Sequence, residues 1–346
     1  MDALSRIQQL GMPKRNNELW TFFPVAKIPQ QEFSDAHDNA PGGDITLRDS
    51  RDNAPYTAID VATETDFAAL LPLAKNARTM VRNIDEGESE MALIKCNDDF
   101  GHTIFNIGKN AKVSLEILDN KVLHEIAAER FDLNLAEGAQ VEVFFANPAN
   151  GLPLRFRHFN IQQAAGSSLR FSSIERGNGI TRVSIDDFLK APGATFEIRT
   201  LNLLDGTSSS HHRLTIHHEA PETTSTQFAR NLLSGHAYAS YDGSVIVGEN
   251  CSKVNSSQLV NTILLSEDSS VSVKPVLKIY HDDVECTHGN TCGELDADQM
   301  FYLVSRGIPE KLAKKMLTSA FASELFQALP DSPAQKRLLQ VLHEVI

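Results

Sequence analysis

The sequence predicts a mainly β protein, a parallel β-helix core with helical N- and C-terminal regions. Three observations carry that expectation. A strand-type pattern recurs every 27 or 28 residues through the middle of the chain. Helix-type periodicity is confined to the ends. With 41% hydrophobic and 22% charged residues over 346 positions, the chain is long enough to bury a large core and has no disorder signature.

The repeat is a small or turn pair followed by alternating apolar and polar positions. It reads Asn110-Ala111-Lys112-Val113-Ser114-Leu115, Gly138-Ala139-Gln140-Val141-Glu142-Val143, Gly166-Ser167-Ser168-Leu169-Arg170-Phe171 and Gly193-Ala194-Thr195-Phe196-Glu197-Ile198. Successive copies start 28, 28 and 27 residues apart, and Asp268-Ser269-Ser270-Val271-Ser272-Val273 offers a fifth copy 75 residues on. Alternation with period two means strands, and a propeller blade needs roughly 40 residues, so stacked coils fit better. Val141, Val143, Leu169, Phe171, Phe196 and Ile198 are then expected to face one interior. The alternative is a sandwich of evenly spaced strands.

The ends follow in order. Residues 1–95 are assigned to a small, partly helical region, with a helix over Asp2 to Leu10, a loop rich in Pro, Gly, Asn and Asp from Ser34 to Pro55, and a helix-like stretch from Asp66 to Lys75. The β-helix is placed at 96–290. Residues 291–346 form a helical region, opened by Asp296 as an N-cap with Gln299 three residues on. Within 309–328, Leu312, Met316, Leu317, Ala320, Phe321 and Leu325 recur at helical spacing behind Pro309, with Pro309, Leu312, Met316 and Phe321 marking the inner stripe. Ser332, Pro333 and Gln335 signal a last helix. These helices are expected to cap the open end of the solenoid, where unpaired strand edges need cover.

Composition also excludes classes of function. The 45 acidic and 32 basic residues give a net charge of −13, which disfavours nucleic-acid or anionic-membrane binding. No apolar run approaches the roughly 18 residues of a membrane span, and the N-terminus lacks a signal-type apolar segment. A cytoplasmic protein is expected. Four scattered cysteines, Cys96, Cys251, Cys286 and Cys292, do not form a disulfide framework.

Three groups of residues carry candidate chemistry. His211, His212, His217 and His218 alternate along a strand, so they split between its two faces and read as structural. Asp186-Asp187 and Asp282-Asp283 have the look of the carboxylate pairs of β-helical carbohydrate-active enzymes, yet one Trp and five Tyr make a poor sugar cleft and such pairs are usually solvated turns. Cys286, His288 and Cys292 lie in what reads as a tight loop between a strand ending near Tyr280 and the helix at Asp296. Thiolate and imidazole are iron and zinc ligands, but three candidates do not complete a site.

The block HDDVECTHGNTCGELD, followed by Met300-Phe301-Tyr302-Leu303 and Ser305-Arg306-Gly307-Ile308-Pro309, resembles the SufB/SufD family of iron–sulfur cluster assembly proteins, and most of all its SufD branch. Ala229-Arg230-Asn231-Leu232-Leu233, Tyr241 to Val247, Gln258, Asn261 and Leu264-Leu265-Ser266 extend the likeness, and Gly11-Met12-Pro13-Lys14-Arg15 with Glu18 and Trp20 resembles the family's opening motif. The resemblance implies a right-handed parallel β-helix. It implies a non-ATPase subunit without turnover of its own, paired with SufB through the β-helix and bound to the ATPase SufC through the C-terminal helices. Phe301, Tyr302, Arg306, Pro309, Leu312 and Phe321 are the expected partner-binding residues. His288 and Cys286 are the expected ligands of iron or a nascent iron–sulfur cluster shared transiently with SufB, with Cys292 a third candidate, and none is expected to be held by the isolated chain. Asn290 and Cys292 depart from the small and aliphatic residues usual there. A homodimer is an expected form of the isolated chain. Two alternatives stay open: a β-helical carbohydrate-active enzyme, and a SufB-like subunit that assembles a cluster alone.

Overall fold

The structure is a computed structural model, and it describes residues 2–28, 61, 64–75, 77, 79–96, 99–119, 126–146, 154–177 and 179–345. The expected loop from Ser34 to Pro55 lies outside the described residues. Among the described residues sixteen strands alternate between two sheets. The odd-numbered strands are β1 (Thr79–Ile84), β3 (Phe100–Ile107), β5 (Ile126–Leu135), β7 (Leu154–Gln163), β9 (Ile180–Leu189), β11 (Ser209–His218), β13 (Tyr238–Val247) and β15 (Ser270–Ile279). The even-numbered strands are β2 (Ser89–Cys96), β4 (Lys112–Asp119), β6 (Gln140–Ala146), β8 (Ser168–Arg176), β10 (Thr195–Leu204), β12 (Thr224–Leu233), β14 (Val254–Leu264) and β16 (Val284–Gly293). Each set forms one eight-stranded sheet, wholly parallel, in chain order. A chain that visits two parallel sheets in strict alternation is a β-solenoid, as the period predicts. The six residues expected to share an interior all lie in one buried cluster between the sheets.

The four clearest repeat copies open β4, β6, β8 and β10, all in the even sheet, and their leading residues Asn110, Gly138, Gly166 and Gly193 occupy positive φ at the corner. The fifth copy opens β15, in the odd sheet. The fifth copy, 75 residues on, therefore does not continue the same corner, because the same turn chemistry serves both: Gly206 and Gly235, ahead of β11 and β13, also have positive φ.

Solenoid strands begin at Thr79, ahead of the expected boundary at 96. Helices α1 (Ala3–Leu10) and α2 (Phe67–Ala74), capped by Asp2 and Asp66, pack with Trp20 and Phe23 on the outer face of the odd sheet at Ile126, Ala128, Leu154 and Phe156. Arg182 ties the region down. Its guanidinium lies 4.0 Å from the Trp20 ring and donates to Asp66 Oδ2 at 3.0 Å and to the Leu19 carbonyl at 3.0 Å. Asp66 stays ionised below the ordinary carboxylate range: burial opposes this, and Arg182 and Arg213 outweigh it.

The C-terminal helices α3 (Ala297–Ser305), α4 (Glu310–Gln327) and α5 (Pro333–Val345) do not cap the solenoid end. Leu325, Phe326, Leu338 and Leu342 pack on Phe144, Ile174, Leu201 and Leu232, the outward residues of four successive even strands, so α4 and α5 lie along the flank. The flank wins because it offers a continuous apolar stripe. Arg199 and Arg230 of β10 and β12 reinforce the contact by donating to the Leu325 and Phe321 carbonyls.

Candidate functional site

The two ends of the solenoid differ in kind. At the first coil, Arg82 of β1 and Glu90 of β2 sit at inward positions, in register with Phe105 and Val113, and pair across the mouth at 3.1 Å. Inward charges on an edge strand oppose further pairing. At the last coil the inward residues are Val271, Val273, Pro275, Leu277 and Ile279 of β15 and Cys286, His288, Asn290 and Cys292 of β16, none of them acidic or basic apart from the imidazole. Their side chains are half-buried or exposed, and no helix makes extensive contact with β15 or β16 among the described residues. The solenoid is open here.

The segment expected to be a tight loop is the edge strand β16. The correction matters, because extended backbone puts residues 286, 288, 290 and 292 on one face. Register places Cys286 beside Ser256, His288 beside Gln258, and Cys292 beside Thr262 of β14. At about 3.3 Å per residue, Cys286 and His288 lie about 7 Å apart along the strand, close enough for two side chains to converge on one metal. Cys292 is about 13 Å beyond His288, too far to join them at a single ion. Among the described residues no group of three or more His, Cys, Asp or Glu side chains forms a metal site. Burial against Val254 and Leu277 pushes the Cys286 thiol up, which keeps it protonated until a metal or a cationic neighbour competes. His288 and Cys292 are exposed, and no disulfide joins any of the four cysteines.

The other candidates separate cleanly. Asp186, half-buried, and Asp187, buried, are strand residues of β9, not solvated turn residues, and they point to opposite faces. Asp186 faces outward to Arg213 at 3.1 Å, while Asp187 faces the interior and accepts from Gln163 Nε2 at 2.9 Å. Two carboxylates on opposite sides of a sheet cannot flank one glycosidic bond. Asp282 and Asp283 are exposed in the turn before β16. His211 bonds Ser240 and Ser209 on the outer face, His217 stacks on Phe188 at 4.4 Å, and His218 bonds Thr223 and Ser225 inside. These three split between the two faces, as alternation predicts, each held by hydrogen bonds or by stacking, and His212 faces the interior beside Tyr241.

The expected partner-binding residues form a surface next to the open end. Asp296 accepts from the Gln299 amide at 2.9 Å and starts α3, none of whose residues is buried. Phe301 is 75% and Tyr302 58% exposed, with the Arg306 guanidinium 5.2 Å from the Tyr302 ring. Pro309 stands at the N-cap of α4. The inner stripe of α4 is not the expected one: Ala313, Thr318, Ala322, Leu325 and Phe326 are buried, while Leu312 and Met316 face solvent and line a groove of about 490 Å³ with Leu339 and Leu342 of α5. Phe321 is half-buried beneath the Arg230 guanidinium at 4.7 Å, which anchors the helix. Sequence reasoning missed Arg230, although its place in an alternating strand marks it as outward.

Comparison with known proteins adds one consistent picture. A family model described as SUF system FeS cluster assembly, SufBD core domain, matches residues 92–321. The chain is 30% identical over 213 residues to the iron–sulfur cluster assembly protein SufD of Escherichia coli, covering 61% of this chain and 50% of that protein. It is 29% identical over 211 residues to an iron–sulfur cluster assembly SufBD family protein of Synechocystis, covering 60% of this chain and 46% of that one. A third relative, Protein ABCI7, chloroplastic, of Arabidopsis thaliana, is 29% identical over 174 residues, 49% of this chain and 36% of that protein. The chain thus spans about half or less of the length of these curated relatives.

Proposed function

Because the chain belongs to the SufB/SufD family of the SUF iron–sulfur cluster assembly system, we propose that it is the SufD-type, non-ATPase scaffold subunit. It pairs with SufB at the open end of the solenoid and binds SufC over α3 and the outer face of α4. It acts in the cytoplasm, without turnover of its own. The observation that carries the reading is the asymmetry of the ends: one is blunted by Arg82 and Glu90, while the other leaves two ten-residue edge strands and half-exposed apolar residues uncovered. An edge of that length invites strand pairing with a second solenoid, and the isolated chain satisfies it by forming a homodimer.

His288 and Cys286 face into that junction. Iron or a nascent cluster is cargo, held only while the partner supplies the remaining ligands, since this chain contributes two side chains within reach of one metal. Neutral imidazole and thiolate are the binding forms, so uptake releases protons and weakens as pH falls. The opposite-facing Asp186 and Asp187 weigh against the carbohydrate-active alternative.

Replacement of His288 is the decisive test. The side chain is exposed, so His288→Ala is expected to change stability by less than about 0.5 kcal/mol and to leave co-purification with SufB and SufC intact. Cluster formation by the complex, followed by visible absorbance after anaerobic reconstitution, is expected to be lost. Normal cluster yield would reject the ligand role, and a fall in melting temperature would make His288 structural.

A further inference from the structure

The inward face of the solenoid changes character along its axis. In the early coils it is aromatic, with Phe131 and Phe159 stacked at 4.9 Å and Phe159 against Phe171 at 4.9 Å. The aligned positions then become small or polar. On the even sheet the ladder through Phe171 continues as Ile198, Gln227 and Gln258, and the next one runs Phe145, Ser173, Thr200, Ala229. On the odd sheet the ladder through Phe159 continues as Ile185, Leu214 and Gly243, and its neighbour reads Val183, His212, Tyr241. In the three ladders that start from phenylalanine the side chains become smaller, and in the fourth valine gives way to histidine and tyrosine.

Some of these polar groups satisfy one another. Asn202 Nδ2 donates to Asn231 Oδ1 at 2.7 Å and Asn231 Nδ2 to Thr262 Oγ1 at 2.8 Å. Tyr241 OH donates to Gln227 Oε1 at 3.2 Å, and Gln258 Nε2 to the Gly243 carbonyl at 3.2 Å. Those bonds fix which end of each amide points where. They leave Thr200 Oγ1, Asn202 Oδ1, Gln227 Nε2, Gln258 Oε1 and both ring nitrogens of His212 without a partner among the described residues. All five side chains are at least 96% buried. Buried polar atoms in this number are normally paired, and where the ladder through Phe145 narrows to Ser173, Thr200 and Ala229 the smaller side chains leave room for the partner.

We propose that the solenoid interior between β10 and β14 encloses a water-binding chamber, lined by Thr200, Asn202, His212, Gln227 and Gln258, whose ordered waters complete the hydrogen bonding of these five side chains. The unpaired atoms of these five side chains mix donors and acceptors, and burial holds the His212 imidazole neutral, its pKa down to about 4. That mixture suits water, which both donates and accepts. The last coil covers the chamber, with His288 and Cys292 the ladder neighbours of Gln258 and Thr262.

The test is a crystal structure of the full chain at a resolution that shows ordered water, repeated under xenon. Water density within hydrogen-bond distance of the His212 ring nitrogens, Gln227 Nε2 and Gln258 Oε1, with no xenon bound there, is the expected result. The double variant His212→Phe/Gln227→Leu, in the same crystals, is expected to lose the waters that touched those two side chains and to keep those at Thr200 and Asn202. Xenon occupying the space, or the five side chains found paired directly to one another, would overturn the proposal.

Discussion

Asp187 shows how a single side chain sets a pH dependence for the whole molecule. It faces the apolar interior with Gln163 as its hydrogen-bond donor, and burial pushes its pKa from 3.8 up to about 8. The folded state therefore binds a proton that the unfolded chain has released, and the stability associated with it declines as pH rises from about 4 to about 8. Asp187→Asn keeps the shape without the charge. Its advantage over the parent in thermal unfolding is expected to grow across that window to a few kcal/mol, on the order set by about 1.4 kcal/mol per pKa unit. An advantage that does not change between pH 5 and pH 8 would mean that Asp187 is ionised in the native state. The buried histidines act at the acid side. His211, His212 and His218 have pKa values lowered by burial, to about 3, 4 and 4, and a depressed imidazole destabilises the fold as pH falls below its unfolded value of 6.5. Acid unfolding followed by circular dichroism should begin between pH 6.5 and pH 4, and His212→Gln should shift it to lower pH.

At the scale of the element, the buried and exposed stripes of α4 decide which substitutions destabilise and which affect docking alone. Phe326 is fully buried against the even sheet, so Phe326→Ala is expected to cost about 3 to 5 kcal/mol in denaturant unfolding. Phe321 is only half-buried and held chiefly by Arg230, so Phe321→Ala is expected to cost less, about 1 to 2 kcal/mol. Leu312→Ala and Met316→Ala, on the exposed stripe, should leave stability nearly unchanged and weaken SufC binding; undiminished affinity in the double variant would put the docking surface elsewhere. The helical spacing of residues 309–328 located the helix to within a residue. It misassigned the inner stripe because several apolar residues on α4 face solvent, and hydrophobicity alone cannot tell a face turned to the core from one turned to a partner. The corners are as exacting as the helices: a Cβ on Gly235 would come within 2.9 Å of the Gly206 backbone at positive φ, and Gly235→Ala is expected to destabilise by about 1 to 3 kcal/mol.

For the whole molecule, the difference between its two ends governs association. Asn290 is an inward residue of the last strand, as Glu90 is of β2 at the blunted end. Asn290→Lys should therefore blunt the open end as well. The variant is expected to fold with unchanged circular dichroism and to run as a monomer in size-exclusion chromatography, without co-purifying SufB. Retention of both associations would move the interface away from the solenoid edge.

The sequence by itself determined the solenoid, its period, the start of each terminal helix and the family, because each is written locally: alternation in a strand, a turn residue at a corner, a cap before a helix, a contiguous motif. The candidate ligands His288 and Cys286 stand in that contiguous motif. What only the tertiary structure decided is which surfaces those elements face. Residues 284–293 read as a loop because Gly289, Asn290 and Gly293 lower strand propensity; they form a strand because β14 offers a ladder to pair with, a contact invisible in the local pattern. Asp186 and Asp187 are adjacent in sequence and on opposite faces in the fold, so one keeps an arginine and the other a proton. The terminal helices lie on the flank because apolar side chains from four separate coils align there, an alignment that exists only after the coils have stacked.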